Sequence, residues 1–389
     1  MKFQSAIIRT HNDKELFILK KIVYFSHGLS ANGIETFLVN VLEKLDKTKY
    51  DATVVIAIDE GVECLHEQRV LDMGVKVVRM GDLDSMKKKL AYYLKVKDFL
   101  KKSDFDIAHS NMDLLNGITL SLAKKAGIEK RICHAHTSKS QFQAQGIVAK
   151  AIMSVQKEYH SRMKDLILSC STDRVACSSV AGEYFYGDKD YELVYNGIDI
   201  SIYEQAKSDE ELKQEIGICD VDKNIIVSVG RLTPVKNPTF ALEVMAELKK
   251  IRKDFRYLWV GDGELKEEVE TKIAELGLED TVILTGVRTD IPQILACCDC
   301  FLMPSLFEGL PFSLVEAQAA GLKCVVSDVV TKTADIGLVD YFSLEKSAKE
   351  WAEEINRVLQ SPKKEKNKEK AKLFDISHTV SQLEKIYEK

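Results

Sequence analysis

From Lys21 almost to its last residue, the chain alternates short apolar runs with longer amphipathic stretches. This rhythm constrains the fold more than any other feature, because strand–helix–strand alternation packs as parallel sheets covered by helices on both faces. The spacing predicts strands at Ile22–Ser26, Ala52–Ile58, Val75–Arg79, Asp106–His109, Arg131–Ala135, Val175–Ser178 and Glu192–Tyr195, separated by helices such as Ile34–Leu45 and Leu115–Lys125. A turn signal follows at Asn196-Gly197-Ile198-Asp199. The pattern then restarts, with strands expected at Ile225–Val229, Tyr257–Val260, Val282–Leu284, Cys300–Met303 and Lys323–Ser327.

At 389 residues the chain is too long for one ordinary core. The expectation is therefore an α/β protein of two Rossmann-like domains, residues 1–198 (with 1–20 preceding the first strand) and 199–375. Doubly wound sheets bind ligands at the carboxyl ends of their strands, so a cleft is expected there, lined by both domains.

Composition excludes several other classes. No stretch approaches the roughly 20 apolar residues that span a bilayer, and residues 1–20 lack the continuous apolar core of a signal peptide. A cytoplasmic location is expected. Cys297, Cys298 and Cys300 form a cluster without the second ligand pair that a zinc site needs, and read as buried thiols; no metal site is expected. Residues 1–198 carry 29 Lys and Arg against 25 Asp and Glu, whereas the remainder is acidic. Much of the excess lies in Lys87, Lys88, Lys89, Lys95, Lys97, Lys101 and Lys102. This is either a solvated helix face or a patch attracted to anionic lipid, at the inner face of the plasma membrane, or to a pyrophosphate-linked acceptor. Nucleic acid is not expected as a partner, since aromatics are not interleaved with these lysines and the chain is acidic overall.

Three segments carry the candidate chemistry. Val229-Gly230-Arg231-Leu232-Thr233-Pro234-Val235-Lys236-Asn237 leaves a strand's carboxyl end with two cations suited to phosphate oxygens. Asn237 and Pro238 suit the N-cap and first position of the next helix. Pro304–Glu316 follows the strand Cys300–Met303 and places Glu308 in a loop and Glu316 inside a helix, where a glutamate among Leu314, Val315 and Ala317 needs a partner such as sugar hydroxyls. Both carboxylates approach from one side, which disfavours the opposed pair of a glycoside hydrolase. Ser26–Glu35 joins a strand to a helix through Gly28 and Gly33, but without the glycine spacing of a dinucleotide site, and no P-loop is present. Finally, Cys133-His134-Ala135-His136-Thr137 ends a strand, and one of its two histidines is expected to point inward because neighbours alternate.

Together these segments resemble the retaining glycosyltransferases of family GT4, which have the GT-B fold of two Rossmann-like domains facing across a cleft. The most specific likeness is the E-x7-E pattern, here Glu308 and Glu316 in Pro-Ser-Leu-Phe-Glu-Gly-Leu-Pro. It is joined by Val229–Asn237, by Val260-Gly261-Asp262-Gly263 and by Tyr195–Asp199. His134–Thr137 gives the chain the flavour of bacterial capsular and exopolysaccharide transferases. The resemblance implies a hexose moved from a nucleotide-sugar, a UDP-sugar first, to a glycan or lipid-linked sugar, with no cofactor and no metal.

The implied roles follow residue by residue. Arg231 and Lys236 would neutralise the diphosphate, and Glu316 would hold the ribose. Glu308 would bind the transferred sugar, with the Gly309 and Leu310 amides near sugar or phosphate. Gly230 and Gly261 would line the nucleotide, Gly33 would let the first domain's backbone approach the diphosphate, and His136 would contact the sugar near the reacting carbon. Asn32 stands where many relatives have a second glycine, which puts that approach in doubt. The last helix, expected at Ile376–Glu388, would return to the first domain. Two alternatives stay open: a UDP-sugar epimerase of the same fold, and a non-catalytic partner subunit of a transferase.

Overall fold

The computed structural model describes residues 19–30, 33–137, 147–218, 224–362 and 365–389. Almost all of the N-terminal extension and Asn32 therefore lie outside the described residues. The chain divides into two compact units, one reaching Gly197 and taking back Ile376–Lys389, the other running from Ile198 to Asp375.

The first unit is a seven-stranded sheet of β1 (Lys20–Ser26), β2 (Tyr50–Ile56), β3 (Lys76–Arg79), β4 (Ile107–Ser110), β5 (Lys130–Ala135), β6 (Asp173–Ala176) and β7 (Glu192–Leu193). Its order is β3-β2-β1-β4-β5-β6-β7, with every neighbouring pair parallel. Parallel strands are buried on both faces, which is why Ile22, Val23, Tyr24 and Phe25 form one unbroken apolar run. β6 stops two residues before the expected end because Ser178 turns out of the sheet to cap the next helix, its hydroxyl accepting from the Ala181 amide at 3.2 Å.

The second unit repeats the plan with β8 (Asn224–Val229), β9 (Phe255–Val260), β10 (Val282–Gly286), β11 (Cys300–Met303), β12 (Lys323–Ser327) and β13 (Val339–Phe342), in the order β10-β9-β8-β11-β12-β13. Sequence reading missed β13. It pairs only with β12 at the sheet edge and all four of its residues are half-buried, so Val339-Asp340-Tyr341-Phe342 carries no apolar run. Trp351, fully buried on a helix opened by a Ser347–Glu350 capping box, packs edge-on against Phe240 and Phe342 over this sheet.

The helix Ile376–Glu388 buries Ile376, Thr379, Val380, Leu383, Ile386 and Tyr387, one face at helical spacing, against the helix Gly33–Lys44 of the first unit. Its first turn crosses the chain at Gly197, where a Cβ would meet Ile376 Cα at 2.7 Å. Only glycine permits that crossing.

Candidate active site

Strand order fixes where each unit can hold a ligand. Both sheets change winding direction between their first and fourth strands, β1/β4 and β8/β11, and the connections leaving such a pair diverge to opposite faces and open a crevice. In the second unit this brings the loop after β8 beside the loop after β11. The two are tied by the Leu306 amide donating to the Val235 carbonyl at 2.8 Å and by Asn237 Nδ2 donating to the Pro304 carbonyl at 3.2 Å.

That second bond corrects the expected helix cap. Asn237 takes a left-handed backbone at φ 56° and makes no side-chain cap for the helix Pro238–Ile251. Asparagine tolerates this conformation, and its carboxamide is spent on fastening the neighbouring loop. Lys236, ending the short turn Pro234–Lys236, is thereby carried to Glu308: Nζ lies 2.6 Å from Oε1, with both side chains mostly screened from water. Arg231 is exposed, and no carboxylate pairs with it among the described residues.

Gly230 and Gly261 lie against each other. Gly261 sits at φ 136°, and a Cβ there would collide with the Gly230 carbonyl. The loops after β8 and β9 are zipped at this point: the Gly230 amide donates to the Val260 carbonyl at 2.9 Å, and Trp259 Nε1 donates to the Gly230 carbonyl at 2.9 Å. These glycines let two backbones touch, which holds Arg231 at the rim. Gly309 is different. It is exposed with open space around its Cα, and Leu310 beside it is half-buried.

Glu316 lies on the helix Phe312–Ala319, part of its surface still accessible. Burial raises its carboxyl above the ordinary glutamate value, and a hydrogen bond from the Tyr203 hydroxyl draws it partly back. Tyr203, itself buried, stands on the helix Ile200–Gln205 that directly follows the turn at Asp199. Sequence reading assigned Glu316 a ligand as its partner and missed Tyr203. A buried tyrosine on a short helix gives no local sign of a carboxylate 113 positions along the chain.

In the first unit, the pairing of histidines runs against expectation. His134 and His136 are two residues apart and so share one side of the strand; their rings stack at 4.2 Å. A polar chain continues inward: His134 Nδ1 to His109 Nε2 at 3.2 Å, His109 Nδ1 to the Tyr387 hydroxyl at 2.7 Å, and that hydroxyl to Tyr24 at 3.0 Å. Burial pushes the His109 and His136 rings down to about 3, and the His134 ring well down, so all three are neutral in ordinary buffers.

His136 is steadied at Nε2 by Asn111 Oδ1, 2.9 Å away. Its Nδ1, the Asn111 Nδ2 and the Oδ1 of Asn196 are buried without a hydrogen-bond partner among the described residues, although the Asn196 carboxamide approaches the same ring. Unspent polar atoms gathered at the carboxyl end of a sheet are what a polar ligand requires. Asp113 belongs to this group. It follows β4 at φ 49°, accepts from Thr137 Oγ1 at 3.0 Å, and burial raises its carboxyl while the charge of His27 lowers it. Strain at a non-glycine residue beside such a cluster marks a position held by its surroundings. Gly33 opens the helix Gly33–Lys44 and is exposed, while Glu35 two residues on is buried and accepts from the Ser30 amide. The thiols of Cys297, Cys298 and Cys300 are buried, and burial pushes that of Cys300 up to about 12.

Comparison with known proteins matches the chain to one family. The family described as Glycosyltransferase Family 4 matches residues 31–202, and Glycosyl transferases group 1 matches residues 209–373. The chain is 30% identical to the putative glycosyltransferase EpsF of Bacillus subtilis, covering 95% of this chain and 96% of that one. It is 27% identical to the capsular polysaccharide biosynthesis glycosyltransferase CapH of Staphylococcus aureus, covering 77% and 81%. In fold it is similar to Anabaena Alr3699/HepE, solved in complex with UDP and glucose, with a TM-score of 0.74 at 18% identity over 95% of this chain and 99% of that one. WaaG, a glycosyltransferase involved in lipopolysaccharide biosynthesis, gives a TM-score of 0.67 at 16% identity over 92% and 95%. With a Family 4 domain before residue 202, a group 1 domain after it and a GT-B architecture throughout, the chain belongs to the glycosyltransferases of this family.

Proposed function

We propose that the protein transfers a hexose from a UDP-sugar to a glycan or lipid-linked sugar in cell-surface polysaccharide synthesis, working at the inner face of the plasma membrane with retention of the anomeric configuration. The observation that carries this reading is the Lys236–Glu308 pair at the β8/β11 crevice, with Arg231 exposed beside it and Glu316 on the following helix. A diphosphate brings two or more negative charges, which the cations of this loop and the amino end of the helix Pro238–Ile251 would neutralise. Glu308 would then bind hydroxyls of the sugar and Glu316 those of the ribose, with Gly309 and Leu310 amides adjacent. The acceptor oxygen attacks the anomeric carbon as the bond to the diphosphate breaks. The acceptor proton passes to the departing phosphate, so no side-chain base is required. The polar group around His136, Asn111 and Asp113 would face sugar or acceptor hydroxyls, and Gly33 the diphosphate.

The reading takes its donor class from the names of similar proteins as well as from the site: one 29% identical relative, covering 63% of each chain, is the UDP-Gal:alpha-D-GlcNAc-diphosphoundecaprenol alpha-1,3-galactosyltransferase of Escherichia coli. A thermal-shift screen of UDP-, GDP- and ADP-sugars tests it, since a ligand that binds only the folded state raises the melting temperature. UDP-sugars should give the largest shift. Transfer assayed after chelation should persist without Mn2+ or Mg2+. Conversion of the donor to an epimer with no acceptor present would assign the site to an epimerase instead.

A further inference from the structure

The helix Met86–Lys101 breaks two local rules on one surface. Its first turn holds Lys87, Lys88 and Lys89 and no acidic residue, although the positive end of a helix dipole favours anions there. Tyr92, Val96 and Leu100 face the core. Met86, Leu90 and Leu94 do not: spaced by four, they form a stripe on another side of the helix, exposed at 81%, 62% and 52%. Lys97 and Lys101 lie seven residues beyond Leu90 and Leu94, and Lys87 seven before Leu94, so the three cations share that stripe. Lys88 is engaged by Asp59 and Asp82, but no carboxylate pairs with Lys87, Lys97 or Lys101 among the described residues. A stable helix gains nothing from exposed apolar side chains beside unpaired charge, and such conflicts mark functional surfaces.

We propose that this face docks the protein onto an anionic phospholipid surface. Met86, Leu90 and Leu94 enter the boundary between headgroups and acyl chains, and Lys87, Lys97 and Lys101 reach the lipid phosphates along their flexible stems. Charge complementarity selects this occupant: two copies of the face brought together would set lysine against lysine. The inference rests on the inner-face location proposed above for its use in the cell, but its test needs neither donor nor acceptor.

The full chain is sedimented with vesicles of phosphatidylglycerol and phosphatidylcholine, and with vesicles of phosphatidylcholine alone. Binding to the former and not the latter, weakened by salt, is expected. Lys87→Glu with Lys97→Glu and Lys101→Glu should weaken binding about tenfold or more, and Leu90→Ser with Leu94→Ser should weaken it without altering the salt dependence. Both sets of positions are on the surface, and an unchanged melting temperature for each variant confirms that folding is intact. Absence of binding to phosphatidylglycerol vesicles, or binding by either variant equal to that of the parent chain, overturns the proposal. So does a dimer in light scattering that the Leu90/Leu94 variant dissociates, since the stripe would then belong to a second copy. Failure of UDP-sugars to shift the melting temperature bears on the function alone and leaves this result standing.

Discussion

Lys236 Nζ and Glu308 Oε1 meet at 2.6 Å although 72 positions separate them in the chain. Each is thereby held in place by the other before any ligand arrives. The pair joins the β8 and β11 loops at the crevice between those strands, and it sets the charge balance there: among the described residues, one cation is compensated and Arg231 is not.

Two substitutions separate the members of this pair. Lys236→Ala removes the charge proposed to bind phosphate and leaves Glu308 partly buried and alone, so UDP affinity should fall at least tenfold and stability by about 1–3 kcal/mol. Glu308→Gln keeps the shape and a hydrogen bond to Lys236 while losing the charge. It should cut turnover more than it alters UDP affinity. Titration calorimetry with UDP, beside transfer kinetics, reads both; unchanged transfer in the two variants would remove them from the site.

Tyr203 is expected to act through Glu316. Tyr203→Phe deletes the hydroxyl that the carboxylate accepts from. The carboxyl should then be harder to ionise, and a buried acceptor left without its donor costs about 1–3 kcal/mol. UDP binding should weaken several-fold, with a donor affinity that falls off as the pH is lowered at a higher pH than in the parent. A pH profile identical to the parent's would show that Tyr203 only fills space.

The buried rings of the first unit make stability depend on acid. His109 and His136 protonate near 3 in the folded chain, far below the ordinary histidine value of about 6.5 that the unfolded chain retains. Between those values the unfolded chain holds more protons, so stability is complete above the upper one and declines as the pH falls through the window. At pH 5 the loss should be on the order of 2 kcal/mol per ring. Denaturant unfolding at pH 7.5 and pH 5 measures it. His109→Gln should be less stable at pH 7.5, because the contacts with Tyr387 and His134 are disturbed, yet should lose less on acidification. An unaltered loss would show that His109 is not the ring responsible.

The two doubly wound sheets were legible from apolar spacing because parallel strands buried on both faces are apolar along most of their length. The edge strand β13 was not, since half-buried residues need no such run. Arg231, Lys236, Glu308 and Glu316 were singled out because they follow the carboxyl ends of strands, where doubly wound sheets bind ligands, a property of order along the chain. What those residues touch could not be read that way. Asn237 looked like a helix cap until the neighbouring loop claimed its side chain, and the spacing gave no sign that the Gly230 carbonyl lies against Gly261. Tyr203 and Asp113 carry no motif, and Asn196 was legible only as part of the Tyr195–Asp199 turn; what stands beside each is set by folding. The sequence by itself determined most of the elements, their parallel pairing and the charges at the strand ends, because backbone geometry and burial act locally and periodically. Only the tertiary structure decided the partners, Lys236 with Glu308, Tyr203 with Glu316 and Tyr387 with His109, because hydrogen bonds and ion pairs depend on distances of about 3 Å that spacing along a chain does not specify.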